Sequence, residues 1–237
     1  DAWVGHIPFG YWLVKAMNPS TLVELGVFSG NSYLSFCQSV RDNNLPTRCF
    51  GIDTWEGDEH GGFYGNEIFV ELEKYHKEKY SGFSRLIRST FDDAQKYFLD
   101  GSIDFLHIDG LHTYDAVKHD FETWFPKLSK SAIVLFHDTN VRERGFGVWR
   151  FWKELCEKYH HNFEFDHSNG LGILEISDND NPSKLDFLNQ DFPHKKILKD
   201  YFTGMGQNYI VHFDTPEKIR NKIEQINTYI QQYSVYE

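Results

Sequence analysis

Four carboxylates, one histidine and a pair of glycines sit where a sheet protein does chemistry. Glu24 stands two residues before the first glycine of Val23-Glu24-Leu25-Gly26-Val27-Phe28-Ser29-Gly30-Asn31-Ser32. Asp53, Asp109 and Asp138 each close a run of apolar residues, and His112 lies three residues beyond Asp109. Carboxylates at the ends of adjacent strands are only about 4.8 Å apart, and oxygens bind Mg²⁺ at about 2.1 Å, so Asp109 and Asp138 can share one divalent ion. His137 or Thr139 would be the third ligand, and imidazole suits softer metals than Mg²⁺. The competing reading is that each Asp caps the turn that follows it. His112 precedes Thr113 and an apolar-striped helix, whose positive end disfavours imidazolium, so this histidine is expected to be neutral and ready to accept a proton. His107, inside a strand, reads as a buried, hydrogen-bonded residue.

The glycine loop has its own chemistry. Gly26 permits a tight turn against which a ligand can lie, and Gly30 permits close packing. The spacing is GxxxG, without the third glycine of dinucleotide folds and without the lysine of a P-loop, so a pyrophosphate cradle is poorly matched. The carboxylate of Glu24 suits a cationic group such as an ammonium. Asp53, at the end of the second strand, is placed to accept both hydroxyls of a ribose.

The elements that would position these residues are legible. Strands are expected at Thr21–Gly26, Cys49–Asp53, Arg85–Ser89, Ile103–Asp109 and Ala132–Asp138, alternating with amphipathic stretches, as in a parallel sheet covered on both faces. Ligands bind outside the carboxyl ends of such strands. Tyr114, Val117, Phe121, Trp124 and Leu128 make one helical stripe. Asn169-Gly170 between Phe163–Asp166 and Leu171–Ile176 signals a hairpin, so the expected fold is α/β: a Rossmann-like, doubly wound, mostly parallel sheet ending in an antiparallel pair. Residues 1–176 form this domain. Ser177 to Pro182 is a polar breaker, and 177–237 reads as an extension. It ends in an amphipathic helix with Thr215 as N-cap, Pro216 at its first position and Ile219, Ile223, Ile226 and Ile230 on one face. That face would dock on its own domain, or on a second copy or a partner.

Composition narrows the partners. The 237 residues carry 24 Lys and Arg against 35 Asp and Glu, a net charge of −11, with no basic stretch longer than Lys195-Lys196. Such a chain repels phosphate backbones, and nucleic acid is not expected as a partner. Twenty-one Phe, 13 Tyr and 6 Trp supply a bulky core. Cys37, Cys49 and Cys156 are odd in number and form no CxxC pair, which fits small core residues in a reducing cytoplasm. The longest apolar run, around Ala132–Phe136, is far short of the roughly 20 residues of a membrane span, and no signal peptide is visible. The opening Asp1 suggests a piece of a longer chain.

The loop, Gly51-Ile52-Asp53-Thr54-Trp55, the segment Asp104–Tyr114, Phe136-His137-Asp138-Thr139 and Phe146–Trp152 together resemble class I S-adenosylmethionine-dependent methyltransferases. The similarity covers residues 3–176 and is greatest to the branch of macrocin-type sugar O-methyltransferases and cephalosporin-hydroxylase-like proteins. The resemblance implies that Glu24 and Gly26 border the methionine moiety, with Phe28, Ser29, Gly30 and Ser32 lining the loop. It also implies that Asp53 holds the ribose, that Ser89 lies at the adenine edge and that Asp109 touches the cofactor. His112 would be the general base, assisted by Asp109, and a divalent cation, Mg²⁺ first, would sit at Asp109, Asp138 and His137. Arg88 departs from the family, where a small residue is frequent. The acceptor would be a sugar hydroxyl of a glycan or glycosylated metabolite, and such domains often sit beside glycosyltransferase modules.

The loops Asn140–Gly147 and Gly57–Gly65 flank the same edge as candidate lids, and Trp55 either stacks on a sugar or packs. Two other readings compete: a nicotinamide-dependent oxidoreductase using Asp53, and a non-catalytic domain that retains the fold.

Overall fold

A computed structural model describes residues 2–177 and 182–213. The expected terminal helix from Thr215 lies outside the described residues, as does most of the polar breaker before Pro182. The main sheet is built from β1 (Thr21–Leu25), β2 (Arg48–Asp53), β5 (Ser84–Arg88), β6 (Ile103–Ile108), β7 (Leu128–His137), β8 (Asn162–Phe165) and β9 (Leu171–Ile176). Two short strands, β3 (Gly57–Asp58) and β4 (Gly62–Phe63), form a separate ribbon. The order across the main sheet is β5-β2-β1-β6-β7-β9-β8. The pairs among β5, β2, β1, β6 and β7 are parallel, and β7–β9 and β9–β8 are antiparallel. This is the expected mostly parallel sheet with an antiparallel edge.

Helices α1 (Ile7–Met17), α2 (Asn31–Asp42), α3 (Glu67–Lys79), α4 (Phe91–Ala94), α5 (Tyr114–Trp124), α6 (Val148–Lys158) and α7 (Lys195–Phe213) surround it. Successive side chains in a strand point to opposite faces, so each apolar strand feeds two cores. Leu22, Phe105, Ile133 and Leu135 pack on one face with Leu13 of α1 and Phe36 of α2. Val23, Leu106, Val134 and Phe136 pack on the other with Phe121 of α5 and Trp152 of α6. Helix α7 returns to the first face, where Phe202 meets Phe9 with ring centroids 5.2 Å apart.

The expected stripe of α5 is one residue too long. Val117, Phe121 and Trp124 are buried on α5, but a 3-10 turn containing Pro126 follows and Leu128 begins β7. Proline lacks the N–H that another helical turn requires. Cys37 and Cys49 are buried, Cys156 is half-buried, and all three are free thiols.

Register fixes what meets at the carboxyl edge. Leu25 pairs with Ile52 on one side and Ile108 on the other, and Ile108 pairs with Phe136. The next residue on each strand is therefore Gly26, Asp53, Asp109 or His137, all at one level. Among the described residues no helix is long and apolar enough to cross a membrane.

Candidate active site

Beyond that edge lies a cavity of about 820 Å³. Gly26, Phe28, Ser29, Ser32 and Asp53 line one part, and Asp109, His112, His137 and Asp138 line another. The sequence-expected residues thus converge on one opening, with three exceptions. Glu24 and Ser89 do not line it, and Gly30 lines a neighbouring groove between α2 and α3.

Glu24 is fully buried two residues below the level of Gly26, beside His107, with His107 Nδ1 3.2 Å from its Oε1. Ser32, which does line the cavity, donates its hydroxyl proton to Glu24. Burial raises the Glu24 pKa, against the opposing pull of His107 and Ser32. The carboxylate therefore lies behind the loop that a ligand would touch.

The glycine loop is tied to β2 by Asp53. Its Oδ2 accepts backbone N–H bonds from Val27 at 2.9 Å and Phe28 at 2.8 Å, and its Oδ1 accepts one from Trp55 at 2.7 Å. Gly26 has φ +90°, and an added Cβ would overlap the carbonyl oxygen of Asp109. Only glycine allows this close crossing from β1 to β6. Trp55 is 1% exposed and donates Nε1–H to the Phe28 carbonyl at 2.9 Å, so it packs beneath the loop. Ser89 is held by its own N–H to the Asp53 carbonyl at 2.9 Å, and Thr90 and Phe91 reach the cavity in its place. Arg88 turns away, with Nε 3.0 Å from the Thr54 carbonyl and Nη1 2.6 Å from Asn66 Oδ1.

The acidic strand ends hold two imidazoles. His112 Nε2 lies 2.8 Å from Asp138 Oδ2 and 3.4 Å from Asp109 Oδ1. His137 Nδ1 lies 3.3 Å from Asp109 Oδ1 and 3.5 Å from Asp138 Oδ2. One ligand atom from each of Asp109, His137 and Asp138 falls within a mutual 4.8 Å, compatible with one ion. Asp138 adopts φ +60°, a left-handed conformation that costs a non-glycine residue energy and clusters at functional sites. Thr139, the alternative third ligand, is fully buried and does not line the cavity.

Burial alone would lower the His112 pKa, but hydrogen bonds and charge from Asp109 and Asp138 raise it to about 9. The expectation of a neutral His112 is therefore corrected: Asp109 and Asp138 favour its charged form. Two carboxylates in contact outweigh the partial charge of a helix end. His137 behaves alike: burial pulls it down, and Asp109 with Asp138 lifts it to about 10. Both carboxyls are correspondingly held below their usual range, their burial being overcome by the two histidines.

The hairpin signal positions part of this centre. Ser168, Asn169 and Gly170 have φ of 50°, 68° and 93°, a turn that aims the Ser168 carbonyl inward. His137 Nε2 is 3.2 Å from that oxygen, and His6 Nε2 is equally close. A carbonyl can only accept, so Nε2 of His137 carries a proton, and Nδ1 faces the carboxylates with a second proton that a metal ion would displace, as in metal-binding histidines fixed by an outer partner. Asp138 Oδ1 is buried and has no hydrogen-bond partner among the described residues. Orphaned oxygen, two carboxylates and an oriented imidazole together fit a divalent cation.

Sequence reasoning missed Trp3, His6 and His60. Trp3 lines the cavity, with its ring centroid 5.4 Å from that of His137. Nothing in its sequence context marks it, because it arrives from a 3-10 turn far from the sheet motifs.

The strand order, the loop after β1 and the carboxyl-edge cavity define a Rossmann-like fold, a mostly parallel sheet with an antiparallel edge. Residues 23–139 match the family model of a methyltransferase domain. The solved structure of Podospora anserina methyltransferase PaMTH1, bound to S-adenosylhomocysteine, aligns with TM-score 0.55 at 15% identity, covering 73% of this chain and 78% of that one. The O-methyltransferase TomG of Streptomyces achromogenes, involved in tomaymycin synthesis and solved with S-adenosylmethionine, gives TM-score 0.55 at 12% identity over 73% and 80%. Protein y4gI of Sinorhizobium fredii, itself uncharacterized, is 46% identical over 214 residues, 89% of this chain. The chain spans 23% of that relative's length.

Proposed function

We propose that this chain is an S-adenosylmethionine-dependent O-methyltransferase acting on a sugar hydroxyl, with a divalent cation at Asp109, His137 and Asp138 and with His112 as proton acceptor. One observation carries the reading: the glycine loop and the two-carboxylate, two-imidazole cluster open into the same cavity. The cofactor's sulfonium would lie against Gly26 and Ser29. The lone pairs that Asp53 does not spend on the loop would accept its ribose hydroxyls. Thr90 and Phe91 would border its adenine in place of Ser89.

The methyl carbon of a sulfonium is already activated, so the protein has to align an oxygen in line with it and remove a proton. The acceptor oxygen forms the new bond to carbon as the carbon–sulfur bond breaks, the sulfur keeps that electron pair, and the hydroxyl proton goes to His112. Bound at the acidic cluster, a divalent cation would polarise the acceptor oxygen and offset the negative field that now favours imidazolium at His112. Asp109 and Asp138 hold His112 at the cavity edge, while the Ser168 carbonyl holds the ring of His137.

We read residues 1–176 as the catalytic domain and 177–237 as an extension whose helix α7 packs back onto α1. A glycosyltransferase module and a cytoplasmic setting are part of the same proposal. Calorimetry with S-adenosylmethionine, S-adenosylhomocysteine and NAD tests it: the first two are expected to bind, and binding of NAD alone overturns it.

A further inference from the structure

We infer that the acceptor carries an anionic group, a carboxylate or a phosphate, beside the hydroxyl that is methylated, and that Arg144 receives it. This rests on the methyltransferase reading above and names its substrate class. Asp53, Asp58, Asp109 and Asp138 line the cavity, and Arg144 is the sole lysine or arginine among the described lining residues. Its guanidinium sits 4.6 Å above the centre of the Phe146 ring, and among the described residues it forms no ion pair. In a chain of net charge −11, an arginine held over an aromatic ring instead of a carboxylate has its planar fork of donors free.

The neighbouring cations are spoken for. Arg142 donates to the Thr139 carbonyl at 2.9 Å and stacks on Trp149 at 4.8 Å, outside the cavity. Left-handed backbone at Arg144 (φ 53°) and Gly145 (φ 75°) turns the loop tip toward the ribbon. There His60 stacks on Phe146, centroids 4.6 Å apart, and Phe146 stacks on His112 at the same distance. The two loops expected as lids thus meet through His60 and Phe146. The Phe146 ring is 4.6 Å from both the guanidinium and the His112 ring, so no more than twice that separates anion receptor from proton acceptor. One substituted six-membered ring bridges that span. A guanidinium pairs with carboxylate or phosphate through two parallel bonds, which fixes orientation as well as charge.

The test is methyl transfer from labelled S-adenosylmethionine to neutral monosaccharides, the matching uronic acids and the matching sugar phosphates. Transfer to an acid or a phosphate is expected to exceed that to its neutral partner by roughly tenfold or more in kcat/KM, and the two anionic arms identify which group is read. Arg144→Gln should collapse the ratio toward one, chiefly through KM, and Arg144→Lys should restore part of it. Equal or better transfer to neutral sugars, transfer to no anionic member, or a ratio unmoved in Arg144→Gln overturns the inference. Calorimetry with S-adenosylhomocysteine separates the failures. Absence of binding overturns the methyltransferase reading and this inference with it, whereas binding without a charge preference overturns this inference alone.

Discussion

Nδ1 of His137 faces Oδ1 of Asp109 across 3.3 Å, and that carboxylate helps lift the imidazole pKa to about 10. Because Nε2 is engaged by the Ser168 carbonyl, the pair needs either a proton or a metal cation between its members. Asp138→Asn removes one of the two charges that would hold that cation. Its affinity for Mg²⁺ or Mn²⁺, measured by calorimetry, is expected to fall roughly 10- to 100-fold or more. Turnover that survives EDTA would reduce Asp138 to a turn cap.

His112→Ala tests the proton acceptor. The imidazole is held by Asp109, Asp138 and the Phe146 ring, so S-adenosylhomocysteine affinity is expected to stay near wild type. Turnover is expected to drop by about 10²- to 10⁴-fold, the usual contribution of a positioned base. A variant that retains its rate would place the base elsewhere.

Much of this site could be read from the chain because parallel strands are apolar until they end. Asp53, Asp109 and Asp138 stood out as the first charges after buried runs, and strand order brought them together. What the chain did not disclose was depth. Glu24 is two residues short of the level of Gly26 and Asp109, and its side chain is buried among Ser32 and His107. The protonation of His112 was hidden too, since it depends on two carboxylates 26 and 3 residues away in sequence, whereas the helix end beside it is local. His60 and Phe146 come from separate loops, and no spacing rule links them.

Gly26→Ala probes the crossing from β1 to β6. The new methyl would meet the Asp109 carbonyl oxygen in a backbone at φ +90°. A left-handed conformation costs a residue with a Cβ about 1–2 kcal/mol before any overlap is counted, so destabilisation above about 2 kcal/mol is expected. Thermal unfolding should show a lowered Tm, and calorimetry should show weakened S-adenosylmethionine binding. An unchanged Tm would mean that the loop has room to relax.

Asp120 gives the chain a pH dependence distinct from the catalytic cluster. It is 8% exposed on α5, and burial, opposed by His119 and reinforced by Asp92, pushes its pKa up to about 7. In the unfolded chain an aspartate titrates near about 3.9, so between these values the folded state holds a proton that the unfolded state has lost. Its contribution is therefore fully present below about pH 4, declines as the pH rises toward 7, and is gone above it. Three pH units correspond to at most about 4 kcal/mol. Asp120→Asn mimics the protonated form at every pH. It should match wild type in denaturant unfolding near pH 4 and exceed it near pH 8. Parallel stability profiles for the two proteins would show that Asp120 is charged in the fold at neutral pH, its burial offset by His119.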